Sequence, residues 1–278
     1  MITLSKGAGY MLISLMSFSL MHLLVKFIPH IPVAEIIFFR SVIALALSYI
    51  MVRQEGVSIW GNRKGLLVLR GLTGVMSLLA FFYAIHHMPL ATVVTITNLV
   101  PFFAMMLSVY FIGERISLLQ WLLVFMAFCG VYMIKGFDVR VQTSYLIITV
   151  FAAFFTALAH FMVRRLRDTE AQSVIIFYFP LVSIPIVLVP TIYYWVSPNV
   201  WDCIIMLGIG GISQVGQVFL TRAYRVEEIG NIAGLYYVGL LLALGYGYFF
   251  FDETFNTMTI IGMLLVLSGA VLSVVKKS

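Results

Sequence analysis

Long apolar runs, separated by short polar breaks, recur along the whole chain. Each run has about 20 residues, the number that an α-helix needs to cross the hydrocarbon core of a bilayer. Apolar positions are continuous within a run and do not alternate with polar ones, which favours helices over the strands of a membrane barrel. The pattern predicts ten transmembrane helices, at residues 8–27, 33–53, 65–87, 90–112, 117–135, 143–163, 172–194, 201–224, 229–251 and 256–275.

The breaks between the runs consist of residues that end helices or prefer water. Pro32 follows the first run and Pro89 follows the third, and neither can continue a helix. Asn256 is placed to cap the last helix at its N-terminus. Since every break is short, neighbouring helices must run antiparallel, and no break can hold a separate soluble domain.

Composition supports the membrane interpretation. Hydrophobic residues make up 62% of the 278 residues, charged residues only 10%, and the mean hydropathy is +1.07. A soluble domain usually carries about 25% charged residues. The first run is too long for the apolar part of a cleavable signal peptide, so it is expected to stay as a transmembrane helix.

The basic residues predict the orientation. With a cytoplasmic N-terminus, thirteen of the 17 Lys and Arg residues fall on the cytoplasmic side, Arg70 among them. The other four are Lys26, Arg40, Lys135 and Arg140. Positive charge is concentrated on the cytoplasmic side of membrane proteins, so both termini are expected there. The net charge of +6 is thus an orientation signal and does not indicate nucleic-acid binding.

The two halves of the chain show a weak repeat at an offset of 139 residues. This offset pairs Gly71 with Gly210, and Glu114 with Glu253, each of which follows a predicted helix. We interpret both glutamates as structural groups that cap a following helix. Since five helices is an odd number, the repeats 1–138 and 139–278 would be inverted in the membrane, which is typical of transporters.

Several motifs resemble a known family. They are Met88-Pro89-Leu90-Ala91, Asn98-Leu99-Val100-Pro101, Gly113-Glu114-Arg115-Ile116-Ser117 and Gly130-Val131, with a weaker copy in the second half. Together they resemble the EamA-type half-domain of the drug/metabolite transporter superfamily, over nearly the whole chain. The second half departs from the pattern at Leu240, which stands where the first half has Pro101, so the helix break expected in span four need not recur in span nine.

The resemblance implies an all-α membrane protein of ten helices in two inverted five-helix repeats. It implies a secondary transporter in the bacterial inner membrane, working by alternating access on an amino acid, a nucleotide-derived metabolite such as S-adenosylmethionine, or a drug-like compound. No catalytic residue, metal or cofactor is expected. The expected partners are a small molecule and lipid, without nucleic acid, and the chain would be a monomer or homodimer.

Two other classes of protein stay open at this point. An integral membrane enzyme would need a nucleophile–base pair, an H-E-x-x-H helix or paired aspartates, and the sequence has none of them within its spans. A non-transporting membrane subunit is the other alternative. Cys129 and Cys203 lie in or beside apolar runs and lack the spacing of metal ligands or of a disulfide framework.

Polar residues inside lipid are costly, so each is a candidate functional group. Arg40 lies about 10 Å into span two and could bind an anionic group. An ion-pair cluster of Glu35 with Lys26 or Arg40, which would hold helices one and two together, is the structural alternative. Glu35 is also a candidate for ion coupling.

Span four contributes the next candidates for substrate binding. Thr95 and Asn98 share one helix face, and Pro101 removes a backbone hydrogen bond near them. At the repeat offset, Thr97 and Asn98 map onto Tyr236 and Tyr237, which could face the same ligand. Interhelical hydrogen bonds and ordinary packing are the alternatives.

Span eight contributes the last candidates for substrate binding, and two histidines are candidates for ion coupling. Gln214 and Gln217 share a face near the middle of the membrane, where they line either a cavity or a helix interface. His22 and His160 are candidates for proton coupling, because histidine titrates near neutral pH. A structural, hydrogen-bonded histidine is the alternative.

Overall fold

A computed structural model describes residues 5–112, 117–226 and 235–275 of the chain. The described residues form helices and connecting segments, with no strand among them. The helices are α1 (Lys6–Phe27), α2 (Val33–Glu55), α3 (Lys64–His87), α4 (Leu90–Thr97), α5 (Val100–Ile112), α6 (Leu118–Phe137), α7 (Thr143–Leu166), α8 (Gln172–Tyr193), α9 (Val200–Val226), α10 (Tyr236–Phe251) and α11 (Thr257–Val275).

Ten apolar segments result, because α4 and α5 form one broken span. Within the described ranges, seven segments are long and apolar enough to cross a membrane, and three shorter apolar helices lie within α6, α10 and α11. Large apolar side chains cover the outer surface, among them Phe125, Val189 and Phe249, each at least 70% exposed. Such extensive exposed apolar surface is rare on soluble proteins, which indicates that lipid surrounds the bundle. The expected all-helical membrane fold is confirmed.

The helix ends use local chemistry that the sequence encodes. Ser5 accepts a hydrogen bond from the Ala8 amide at the start of α1, at 3.2 Å. Asn256 accepts one from the Thr259 amide at 2.8 Å, which confirms the predicted N-cap of α11. Gly56 ends α2 with a φ of +66°, a left-handed conformation that glycine adopts without strain.

The fourth span breaks at Asn98 and Leu99. The amides of both residues bond to carbonyls three positions earlier, at 3.0 Å, so the α-helical ladder stops there. Pro101 has no amide hydrogen to give to the Thr97 carbonyl, which accounts for the break. In the second half, α10 continues without a break through Leu240, the position that corresponds to Pro101, and residues 227–234, which include the start of this span, lie outside the described residues.

The helices pack mainly between the two halves of the chain. The most extensive pairs are α1 with α9, α3 with α7, α2 with α8, and α6 with α11. Glycine permits close approach in these pairs: a Cβ added at Gly71 would lie 2.6 Å from the Val182 side chain, and one added at Gly210 would lie 2.5 Å from Ile43. Small residues at helix contacts are the usual means of packing within membranes.

A charged network joins three segments at one end of the bundle. The Lys26 ammonium forms an ion pair with the Glu253 carboxylate and also donates to the Met88 carbonyl at 2.9 Å. Both Glu253 oxygens accept from the Leu90 amide, at 3.0 and 2.9 Å, so this residue caps α4. The carboxylate lies against Gly247, where any Cβ would collide with it.

The structural role expected of Glu253 is therefore present, but its target differs from the prediction. It caps α4, which lies 163 residues earlier in the chain, and not the helix that follows it. Its counterpart in the predicted repeat, Glu114, lies outside the described residues.

Candidate functional site

A cavity of about 240 Å³ lies in the middle of the bundle. Its lining comes from α1 to α5 in the first half and from α7 to α10 in the second. Apolar side chains such as Leu15, Phe18 and Phe81 form much of the wall, and a smaller number of polar groups point between them. Concave, mostly apolar sites with a few placed polar groups are typical of small-molecule binding.

Two arginines contact the same aromatic ring in this cavity. Arg40 reaches in from α2 and Arg70 from α3, and their guanidinium carbons lie 5.0 and 5.2 Å from the centre of the Phe179 ring on α8. Both are almost fully buried, at 3% and 4% exposure. The ring holds both cations by cation–π attraction. Gly74 leaves the space, because a Cβ there would lie 2.5 Å from Arg70 Nη1 and 2.7 Å from Phe179.

These arginines have buried donors without acceptors. Nε and Nη1 of Arg40, and Nε of Arg70, have no hydrogen-bond partner among the described residues. Across the residues that the structure describes, no Asp or Glu side chain lies within ion-pair distance of either guanidinium. A buried charge is ordinarily paired, because removal from water without a partner is costly.

Asn98 adds a fourth unpaired donor at the helix break. Its side chain is 8% exposed and lines the cavity, and its Nδ2 has no acceptor. The neighbouring Thr97 also lines the cavity, but its hydroxyl donates to the carbonyls of Val93 and Val94, at 2.9 Å each. Thr95 is fully buried, donates to the Ala91 carbonyl at 2.7 Å, and does not line the cavity.

The two candidate histidines both line the cavity, on opposite halves of the chain. The His22 ring lies 4.6 Å from the Phe81 ring, centre to centre. His160 Nδ1 lies 3.3 Å from the Tyr224 hydroxyl, which also lines the cavity. The placement suits both interpretations of these residues, as proton carriers or as structural groups.

The two candidate glutamines of α9 lie in different environments. Gln217 lines the cavity. Gln214 does not: its Nε2 lies 3.8 Å from Met51 Sδ, at the contact between α9 and α2. The structure therefore places Gln214 in the helix interface. The side chains of Tyr236 and Tyr237 lie outside what the structure describes, so the predicted tyrosine pair cannot be placed.

Glu35 is not part of the cavity, and the ion-pair cluster expected around it is wrong. One of its oxygens accepts from the Val196 amide at 3.1 Å, in the segment between α8 and α9. Lys26 pairs with Glu253 instead, and Arg40 has no carboxylate partner among the described acidic residues. Five helical positions separate Glu35 from Arg40, which puts them on different faces of α2.

Sequence reasoning missed the role of Arg70. It was counted among the cytoplasmic basic residues, yet it is buried and lines the cavity. Its position could have identified it, because it lies five residues inside the predicted span 65–87. That is about 7.5 Å from the helix start, too deep for an ordinary solvated arginine. Phe179 and Tyr224 gave no comparable signal, since aromatic residues are common throughout the spans.

The part of the chain that the structure describes contains no group of three or more His, Cys, Asp or Glu side chains that could hold a metal ion. The charged and titratable groups that line the cavity include two arginines and two histidines, and hydroxyl and amide side chains add neutral donors and acceptors. Such an arrangement can bind and orient an acceptor-rich small molecule.

Comparison with known proteins gives consistent results. The sequence profile of the EamA-like transporter family matches residues 5–136. The chain is 34% identical to the pseudopaline exporter of Pseudomonas aeruginosa, over 99% of this chain and 98% of that protein. It is 23% identical to the S-adenosylmethionine uptake transporter of Rickettsia prowazekii, over 95% and 91% of the two chains. Among the solved structures that share the fold is a crystal structure with a TM-score of 0.70 at 15% identity, which covers 98% of this chain and is itself covered over 97% of its length.

Proposed function

The chain belongs to the EamA-like transporter family, which makes it a small-molecule transporter of the membrane and not an enzyme, and we propose that it works as a secondary transporter by alternating access. The cargo would be a small organic metabolite, and the location the bacterial inner membrane. The observation that carries the proposal is the central cavity, whose wall is contributed by both halves of the chain. A site between two halves that rock about it is the usual arrangement in such carriers.

Symmetric contacts support two inverted repeats, 1–138 and 139–278. Gly71 packs on Val182, and the residues 139 positions away from each, Gly210 and Ile43, pack on one another in the same way. The extensive helix pairs also exchange under this offset: α1 with α9 corresponds to α7 with α3, while α2 with α8 and α6 with α11 correspond to themselves.

A second pair of glycine contacts obeys the same offset, in α6 and α11. A Cβ at Gly130 would lie 2.5 Å from the Gly262 carbonyl oxygen. The residues at the offset are Gly269 and Leu123, and a Cβ at Gly269 would lie 2.9 Å from the Leu123 carbonyl oxygen. Because backbone contacts of this kind recur in register, the repeat proposal no longer depends on sequence identity alone.

The similar proteins suggest which cargo to test first. Pseudopaline leads, because the exporter of that compound shares 34% identity over almost the whole of both chains. S-adenosylmethionine is the second candidate, on the 23% identity to a transporter that takes it up. The two relatives are named for opposite directions of transport, so both directions have to be measured.

The test is flux in liposomes that contain the purified protein. Labelled pseudopaline and S-adenosylmethionine are measured separately, inward and outward, with and without a proton gradient. We expect protein-dependent flux of at least one compound, and flux that responds to the gradient would support coupling through His22 or His160. Protein that binds neither compound and carries neither in any direction would refute the proposed cargo.

Two glutamines of one helix provide a matched pair of variants. Gln217→Ala removes a polar group from the cavity wall and should reduce flux, while Gln214→Ala changes the helix interface outside the cavity and should leave flux near that of the unmodified protein. Equal loss of flux in both variants, at equal amounts of folded protein, would mean that this cavity is not the transport site.

A further inference from the structure

The surplus of buried donors in the cavity has a chemical consequence. Four nitrogen donors at or near its wall, three on the arginines and one on Asn98, have no acceptor. Leaving such a group unsatisfied is unfavourable, and more so when the group is charged. The side chains that carry these buried donors line the cavity, so an acceptor from outside the chain, whether water or cargo, would offset this cost.

The charges point the same way. Two positive charges line the cavity at Arg40 and Arg70, and the acidic side chains in the described ranges lie beyond ion-pair distance of both. Two histidines from other helices, His22 and His160, also line the cavity, and a histidine can only be neutral or positive. The field in the cavity therefore favours an anion and opposes a cation.

We propose that the cargo of this transporter is an organic dianion whose two negative charges are held by Arg40 and Arg70, which both contact the Phe179 ring; this rests on the transport function proposed above. Each guanidinium carbon is 5.0 or 5.2 Å from the same ring centre, so the two lie at most about 10 Å apart. One small molecule can therefore reach both.

The ring and a glycine prepare the site before the cargo arrives. Arginine presents a planar fork of donors that matches a carboxylate or phosphate, and its fork loses less freedom when it is already oriented. Phe179 orients both guanidinium groups, and Gly74 leaves the room in which Arg70 Nη1 lies. Asn98 adds a neutral donor from the helix break between α4 and α5.

The apolar part of the cavity wall restricts the size and polarity of the rest of the cargo molecule. Leu15, Phe18, Leu78 and Phe81 contribute apolar surface to the wall of this cavity of about 240 Å³. The cargo thus has a compact apolar part as well as its two anionic groups. Organic cations and compounds with a sulfonium group, such as S-adenosylmethionine, fit this charge pattern poorly.

The experiment measures thermal stabilisation of the purified, detergent-solubilised protein by glutarate and by glycerol phosphate. Both carry two negative charges, as two carboxylates or as one phosphate, so the two arms distinguish the form of the anion. Glutaramate, the monoamide of glutarate, is the matched compound of equal size with one charge removed. A ligand at about 100 times its dissociation constant adds roughly 2.7 kcal/mol to stability, which is a readily measured rise in melting temperature.

We expect a rise in melting temperature with at least one dianion, a rise at least several-fold smaller with glutaramate, and no rise in Arg40→Gln or Arg70→Gln. Arg40→Lys and Arg70→Lys keep the charge and should recover part of the response. Arg53→Gln is the control, because Arg53 is exposed and lies over the Tyr49 ring, 5.4 Å from its centre, outside the cavity.

Three results would overturn the dianion proposal: no response to either dianion, an equal response to glutaramate, or an undiminished response in the Gln variants. Flux measurements separate this failure from failure of the transport function. If S-adenosylmethionine crosses the membrane equally well through the unmodified protein and the Arg→Gln variants, transport stands and the dianion site falls. If no compound crosses, the transport proposal itself fails.

Discussion

Replacing Glu253 with glutamine is expected to destabilise the fold, because it removes one charge from a buried pair and changes little else. Glutamine has the same shape and keeps one oxygen that can accept from the Leu90 amide. The Lys26 ammonium, however, loses its ion-pair partner and keeps only the Met88 carbonyl. The side chains of the pair are 15% and 6% exposed, so water replaces little of the lost interaction.

The size of the effect follows from this burial. Removing one partner of a buried ion pair costs about 3–5 kcal/mol, since the other charge stays buried. Lys26 is partly exposed, so the lower end of that range, about 3 kcal/mol, is expected. Changing Lys26 to methionine in the same protein removes the stranded charge, and the two changes together should cost about 1–3 kcal/mol less than the sum of the single ones.

The assay is reversible unfolding in mixed detergent micelles, followed by tryptophan fluorescence, on both single variants and the double variant. Asp138→Asn is the control, because Asp138 pairs with Arg140, which is 38% exposed, and should cost about 1 kcal/mol or less. Purely additive changes at Lys26 and Glu253, or a control that costs as much as Glu253→Gln, would refute the assignment of this stability to the buried pair.

The remaining predictions concern packing, charge and orientation. In thermal melts, Gly71→Ala and Gly210→Ala should each destabilise the protein by about 1–3 kcal/mol, and by similar amounts if the repeats are symmetric. Gly65→Ala is the control and should not destabilise it, because nothing lies within 4 Å of the added Cβ. Arg70→Met should stabilise the unliganded protein, by about 1–4 kcal/mol, because it removes a buried charge without a partner, and a lower melting temperature would contradict this. Alkaline phosphatase fused after Val141 should be active, and the same enzyme fused at the C-terminus inactive, if both termini are cytoplasmic; the reverse pattern would invert the topology.

Part of the candidate site could be anticipated from the sequence, and part of it could not. Arg40, Asn98 and Gln217 were identifiable as candidates because each is a polar residue well inside a predicted membrane span. All three line the cavity. Gln214 carried the same signal and lies at a helix contact instead. Depth along a helix follows from residue number, but the face that meets a cavity depends on which helices pack against it.

The sequence alone determined the class of the fold. Continuous apolar runs with few charges can satisfy their backbone groups within lipid only as helices, so ten apolar helical segments follow from local composition. The break of span four at Asn98 and Leu99 is equally local, because the amide hydrogen that Pro101 lacks would bond within one turn of the helix.

The tertiary structure alone decided which distant residues meet. Glu253 pairs with Lys26 across 227 positions of sequence, and Arg70 meets Phe179 from another helix. Each helix can rotate about its axis without any change in its own hydrogen bonds, so the sequence of one span does not state which side chain faces which neighbour. Close contacts at glycines such as Gly71 and Gly210 fix those rotations, and they place the two arginines in one cavity.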